Sequence, residues 1–66
     1  MNLYELQQLF KKFGTFIYTG QKLGDIEIME DELKELYRMG LIEDKIYRDG
    51  ILLLIQERRK AENDEK

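Results

Sequence analysis

Few side chains in this sequence could do chemistry, and their types limit what the protein could catalyse. The 66 residues include no histidine, cysteine, serine, tryptophan or proline. Thr15 and Thr19 carry the only aliphatic hydroxyl groups, and no imidazole is present to activate them as nucleophiles. Glu30 and Glu32 lie two residues apart on a predicted helix, so they do not share a face as an acid–base pair would. We therefore predict that the protein is not an enzyme and uses no cofactor.

Acidic residues repeat along the predicted second helix, which raises the question of a metal site. Glu27, Asp31 and Glu35 follow one another at intervals of four residues. A hard cation usually needs about 6–8 oxygen ligands from a shaped loop, and no such loop is visible. Zinc in structural sites needs cysteine or histidine ligands, which the chain lacks. We predict a solvated acidic face and no metal site.

Basic residues on the predicted third helix suggest a nucleic-acid surface. Lys45, Arg48 and Arg59 fall on one outward stripe at about 100° per residue. Single-stranded nucleic acid is bound by cations that follow the backbone and by aromatic rings that stack on bases. The alternative is an ordinary solvated face, because the net charge is −3 and dedicated nucleic-acid binders are usually basic. The residues of the predicted surface are Lys11, Lys12, Tyr18, Lys22, Lys45, Arg48 and Arg59.

An apolar run on the same helix suggests a different function. Residues 51–55 are all apolar, and they cannot all face one core from a helix. Leu52 is predicted to point away from the core, with Leu53 and Ile55 beside it. Such a patch can mark an interface with another protein or with a second copy, although single exposed leucines are also common. The alternative function is therefore a protein-interaction or self-association module.

The residues before position 25 predict one helix and an ordered connector. Asn2 and Glu5 have the spacing of a capping box, and Gly14 is a natural helix end, so the first helix is predicted over residues 2–13. Residues 15–19 are rich in β-branched and aromatic types, but no second strand-like run exists to pair with them. We expect a connector over residues 15–24 in which Phe16 and Ile17 fill the core.

Two longer helices are predicted after this connector. Asp25 is the expected cap of the second, which ends at Gly40. The third is predicted to start at residue 43 or 44 and to run to about Lys60. Gly50 costs about 1 kcal/mol relative to alanine within a helix, which indicates a close approach by another group, with Phe13 or Tyr37 as candidates. The predicted buried stripe of the second helix is Ile26, Met29, Leu33, Leu36 and Tyr37.

These elements predict a small all-α domain, a three-helix bundle over residues 1–60, followed by a disordered, charged C-terminal tail over residues 61–66. The short loop after Gly40 should make the second and third helices antiparallel neighbours. No secretory leader is visible, and residues 51–55 are far short of the ~20 apolar residues that cross a bilayer. We expect a cytoplasmic protein with no membrane partner.

Several sequence stretches resemble a known family. They are Met1-Asn2 with Tyr4, the run Gly14-Thr15-Phe16-Ile17-Tyr18-Thr19-Gly20, and Met29-Glu30 followed by Glu32-Leu33-Lys34-Glu35-Leu36-Tyr37. Together they are similar to the YqgQ-like family of small Gram-positive bacterial proteins. The resemblance covers about residues 1–60. It implies an all-helical fold and a cytoplasmic location, and it implies no catalytic or binding residue.

Overall fold

The structure, a computed structural model, describes residues 1–64 and contains three α-helices. They are α1 (Leu3–Lys12), α2 (Lys22–Arg38) and α3 (Asp44–Asp64). Residues 13–21, here called the connector, join α1 to α2 through a turn at residues 13–14 and a segment that is neither helix nor strand, and no strand is formed within residues 1–64. No helix in this part of the chain is long and apolar enough to cross a membrane. The predicted all-α, three-helix fold is confirmed.

Local capping interactions set both ends of α1. The Asn2 side chain accepts a hydrogen bond from the Glu5 amide at 2.8 Å, and the Glu5 carboxylate accepts one from the Asn2 amide at 3.0 Å. This is the predicted capping box, which satisfies two amides that have no partner within the helix. After Phe13, Gly14 adopts a φ of +80°, which glycine tolerates without a steric penalty. The predicted start and end of α1 are confirmed.

The core lies mainly between α2 and α3, which run antiparallel. Tyr37 near the end of α2 stacks on Tyr47 near the start of α3, while Glu30 pairs with the later Arg58. α1 and the connector cover this pair from one side. The buried apolar residues are Leu6, Phe10, Ile17, Ile26, Met29, Leu33, Leu36, Leu53, Leu54 and Ala61.

The predicted close approach at Gly50 is confirmed, but its neighbour differs from both candidates. A Cβ at Gly50 would lie 2.6 Å from Cδ2 of Leu33, well inside contact distance. The residue that meets Gly50 is therefore the buried Leu33 of α2, and neither Phe13 nor Tyr37.

The start of α2 and the end of α3 differ from the predicted boundaries. α2 begins at Lys22, and the Asp25 predicted as its cap lies inside the first turn, where it binds the connector instead. α3 continues through residues 61–64, which were predicted to be disordered. It continues because Ala61 is buried in the core, opposite the beginning of α2. Residues 65 and 66 of the predicted tail lie outside the described residues.

Candidate functional site

A glutamine on α1 gives the connector the hydrogen bonds that a neighbouring strand would otherwise supply. The Gln7 side-chain amide donates a hydrogen bond to the Ile17 carbonyl at 2.7 Å, and its oxygen accepts one from the Ile17 amide at 3.5 Å. Ile17 itself is buried in the core. The backbone amide and carbonyl of Ile17 are therefore hydrogen-bonded although residues 15–19 pair with no strand. One side-chain amide is enough, because it supplies both a donor and an acceptor.

Alternate residues of the connector are fixed to the helices. The Thr15 amide donates to the Phe10 carbonyl at 3.0 Å. The Thr19 amide and hydroxyl both donate to Oδ1 of Asp25, at 2.8 and 2.6 Å. Between these anchors, the backbone groups of Phe16 and Tyr18 make no hydrogen bond within residues 1–64. The connector is thus held at positions 15, 17 and 19 and is free at 16 and 18.

This alternation exposes aromatic rings. Tyr4, Phe16 and Tyr18 are the most exposed of the large apolar side chains, at 71%, 63% and 74%. The prediction that Phe16 fills the core is wrong. Successive side chains of an extended segment point to opposite sides, so with Ile17 in the core its two neighbours must face outward.

Lys11 lies beside one of these rings, Phe16. Its ammonium group lies 5.2 Å from the centre of the Phe16 ring, a cation–π distance. Tyr4 and Lys11 are seven residues apart on α1, about two helical turns, and so share a face. Phe16 and Tyr18 share the outward side of the connector. We call Tyr4, Lys11, Phe16 and Tyr18 the aromatic surface.

The other predicted nucleic-acid residues lie elsewhere. Lys45, Arg48 and Arg59 are exposed on the outer face of α3 and form no ion pair within residues 1–64. We call these three residues the α3 basic stripe. Lys12 lines a groove with Glu43 at the opposite end of α1 from Tyr4. The fold therefore does not gather the seven predicted residues into one patch.

Lys22 is occupied by an ion pair between helices. Its ammonium group lies 3.3 Å from the Glu57 carboxylate, which Lys60 also approaches at 3.1 Å. Burial of Glu57 disfavours its charged form, but the two ammonium groups outweigh that cost and hold the pKa of Glu57 below its ordinary value. Lys22 thus ties the start of α2 to the end of α3. Within residues 1–64, no group of histidine, cysteine or acidic residues is arranged to hold a metal ion.

The predicted apolar patch on α3 is only partly exposed. Leu52 and Ile55 are 59% and 41% exposed, whereas Leu53 is 8% exposed and belongs to the core. Leu53 was predicted to be part of the interface, and this is wrong because it lies on the Gly50–Leu54 side of the helix. A shallow groove of about 250 Å³ with an apolar surface remains on the outer side of α3. It is lined by Tyr47, Arg48, Ile51 and Leu52.

Gln7, Phe16 and Asp25 are the residues of this region that sequence reasoning missed. A signal for Phe16 was present, since in an extended run the two rings that flank Ile17 both point to the side opposite to it. No comparable signal marks Gln7 or Asp25, because their partners depend on how the connector folds back on α1 and α2.

Comparison with known proteins agrees with the predicted resemblance. The sequence matches the family model described as YqgQ-like over residues 1–60. A protein of Bacillus subtilis (strain 168) named "Uncharacterized protein YqgQ" is 40% identical over 60 residues. That alignment covers 91% of this chain and 84% of the relative.

Proposed function

The chain belongs to the YqgQ-like family, and from the surface of this member we propose a non-enzymatic module that binds single-stranded nucleic acid. The observation that carries the proposal is the aromatic surface, where three rings are exposed and the Lys11 ammonium group lies over one of them, Phe16. Stacking of a base on an aromatic ring contributes about 1–3 kcal/mol and tolerates any sequence. The proposal places the protein in the cytoplasm, where RNA is accessible.

The connector suits this role because it presents its rings rigidly. Phe16 and Tyr18 are two residues apart in an extended segment, so their Cα atoms are separated by about 6.6 Å. Both stand on one side and can take neighbouring bases of one strand. The anchors at Ile17 and Thr19 keep this spacing fixed, so little conformational entropy is lost on binding.

The charge of the protein favours nucleic-acid binding only near Lys11, and this limits the affinity that we expect. Lys11 supplies a cation at the aromatic surface, while α2 is acidic and the net charge is −3. We therefore expect weak binding whose affinity falls gently with salt. Each phosphate contact changes the slope of log affinity against log salt by about 0.7 for a single strand.

The test compares the two surfaces that the predicted residues occupy. Phe16→Ala combined with Tyr18→Ala should weaken binding of an unstructured, fluorescently labelled RNA at least tenfold, measured by anisotropy at low salt, because each lost stacking contact is worth about 1–3 kcal/mol. The matched control replaces Lys45, Arg48 and Arg59 by glutamine and should bind nearly as well as wild type. All five side chains are exposed, so thermal unfolding should change little in either variant.

Three results would contradict the proposal in this form. Wild type that does not bind at low salt would remove nucleic-acid binding altogether. Equal binding by the double aromatic variant would show that the aromatic surface is not the site. Loss of binding only in the glutamine variant would move the site to the α3 basic stripe.

A second candidate function is favoured by the groove on α3. Tyrosine and arginine are enriched at the energetic centres of protein interfaces, and Tyr47, Arg48 and Leu52 all line this groove. Tyr37 extends it, since its ring stacks on Tyr47 with 4.2 Å between centroids and 9° between planes. On this reading the protein binds another protein, or a second copy, through the outer face of α3. Such binding would be nearly insensitive to salt.

A further inference from the structure

A small cleft lies beside the aromatic surface, between α1, the connector and the beginning of α2. The apolar side chains of Leu3, Ile17, Ile26 and Met29 line it. Gln7 and Lys22 also line it, and their side chains are already bonded to the Ile17 carbonyl and the Glu57 carboxylate. The cleft is completed by Tyr18 and Asp25. Its volume is about 160 Å³. A cavity of about 150 Å³ accommodates benzene, so the cleft has the size of one six-membered ring.

Asp25 offers this cleft an unused hydrogen-bond acceptor. The residue is only 7% exposed. Its Oδ1 accepts two hydrogen bonds from Thr19, and its Oδ2 accepts none within residues 1–64. Oδ2 is nevertheless not sealed from solvent, because no fully buried side-chain oxygen or nitrogen of the described residues lacks a partner. Asp25 is among the residues that line this cleft, so a ligand bound there would lie next to a carboxylate that has one oxygen without a hydrogen-bond donor within residues 1–64.

We propose that this cleft binds a pyrimidine base with an exocyclic amino group, namely cytosine, and that Asp25 selects it. The inference rests on the proposed function and deepens it, because the cleft would read one base of the bound strand. The cytosine N4 amino group donates to Oδ2, the ring rests on the apolar side chains of the cleft, and Tyr18 covers its face. Phe16 then takes the next base.

The selection follows from the donor and acceptor pattern of the bases. Cytosine carries an N4 amino donor where uracil and thymine carry an O4 acceptor. A carboxylate only accepts hydrogen bonds, so it binds the first and repels the second. Both oxygen lone pairs of Oδ1 are already used by Thr19, which leaves Oδ2 as the selecting atom. The volume of the cleft favours a single ring over the two fused rings of a purine.

The experiment titrates the folded protein with free cytidine and with free uridine and follows the backbone amides by NMR. In wild type, cytidine should shift the amides of Tyr18, Ile26 and Met29 at concentrations about tenfold or more lower than uridine does. Asp25→Asn keeps an oxygen for Thr19 and places an amide donor where Oδ2 was. This variant should lose the preference for cytidine or reverse it toward uridine.

The variant Tyr18→Ala provides a second test that does not depend on the buried carboxylate. Because this ring is 74% exposed, its removal should leave thermal unfolding unchanged while weakening the cytidine shifts. Absence of shifts with cytidine, equal shifts with both nucleosides, or an unchanged preference in Asp25→Asn that remains folded would each overturn the inference.

The inference and the proposed function can fail separately. RNA that binds through Phe16 and Tyr18 with equal affinity for oligocytidine and oligouridine would support the proposed function and overturn the cytosine site. Cytidine shifts that depend on Asp25, in a protein that binds no oligonucleotide, would support the cleft and contradict the strand-binding function.

Discussion

Gln7 illustrates how one residue can determine the exposure of a whole segment. Its amide satisfies both backbone groups of Ile17, which lets an extended segment lie against a helix without a second strand. With Ile17 held inward, Phe16 and Tyr18 are forced outward. The aromatic surface therefore depends on a side chain that does not belong to it.

Replacing this glutamine should destabilise the protein. Gln7→Leu leaves the buried Ile17 carbonyl and amide unpaired, which should lower the free energy of unfolding by about 1–3 kcal/mol. Urea unfolding followed by circular dichroism measures the change. The side chain of the adjacent Gln8 makes no hydrogen bond within residues 1–64, so Gln8→Leu should stay within about 0.5 kcal/mol of wild type. Equal midpoints for the two variants would show that the amide clamp contributes little.

At the scale of elements, the contact between α2 and α3 depends on a glycine. The missing side chain at Gly50 makes room for the fully buried Leu33, and the two helices approach closely at this point. A glycine within a helix costs about 1 kcal/mol relative to alanine, so it is tolerated only where the closer packing outweighs that cost.

Filling this space should therefore destabilise the helix pair. Gly50→Ala gains about 1 kcal/mol in helix propensity but forces a methyl group against the terminal methyl of the fully buried Leu33, which must then shift within the core, and such overpacking costs about 1–3 kcal/mol. We expect a net loss of about 1 kcal/mol by urea unfolding. Gly24→Ala is the matched control, since its added Cβ would meet no atom closer than 3.8 Å, and it should be neutral or stabilising.

A double-mutant cycle attributes this loss to the leucine. Leu33→Ala should cost less in the Gly50→Ala background than in wild type, because the new methyl group occupies part of the space that the leucine leaves. Additive effects would mean that Leu33 is not the residue that resists the methyl group.

At the scale of the whole molecule, the inner face of α3 contributes to stability and its outer face is exposed to solvent. Its inner face completes the core through Leu53, Leu54 and Ala61, and its outer face carries the apolar groove and the α3 basic stripe. The aromatic surface is formed by α1 and the connector and includes no residue of α3. The two proposed functions therefore use different surfaces of the chain, and each can be tested separately.

Substitutions of the adjacent Leu52 and Leu53 test whether the outer and inner faces of α3 have these different roles. Leu53→Glu places a charge in the core and should unfold the domain, because cores of this size supply only about 3–5 kcal/mol of net stability. Leu52→Glu should change the free energy of unfolding by less than about 0.5 kcal/mol and leave RNA binding intact. If the outer face of α3 mediates self-association, sedimentation at high micromolar concentration should show a larger species for wild type than for Leu52→Glu. A monomeric wild type would contradict that form of the second candidate function.

The sequence by itself determined the helical class, the start and end of α1, the end of α2 and the special role of Gly50. The Asn2–Glu5 capping box and the positive φ at Gly14 and Gly40 follow from interactions between residues a few positions apart. Helical spacing also predicted the burial of Leu33 and Leu36 correctly, but it was wrong for Tyr37, which is 38% exposed. Such interactions can be read from spacing, because helix geometry relates neighbouring residues in the same way in any protein.

Only the tertiary structure decided which side chains share a surface. Whether Phe16 or Ile17 faces the core depends on Gln7, and whether Ala61 belongs to α3 depends on the start of α2. The fold likewise placed Lys11 beside Phe16 and kept it apart from the α3 basic stripe. These outcomes rest on contacts between residues far apart in the chain, and composition and periodicity carry no information about which distant partners will meet.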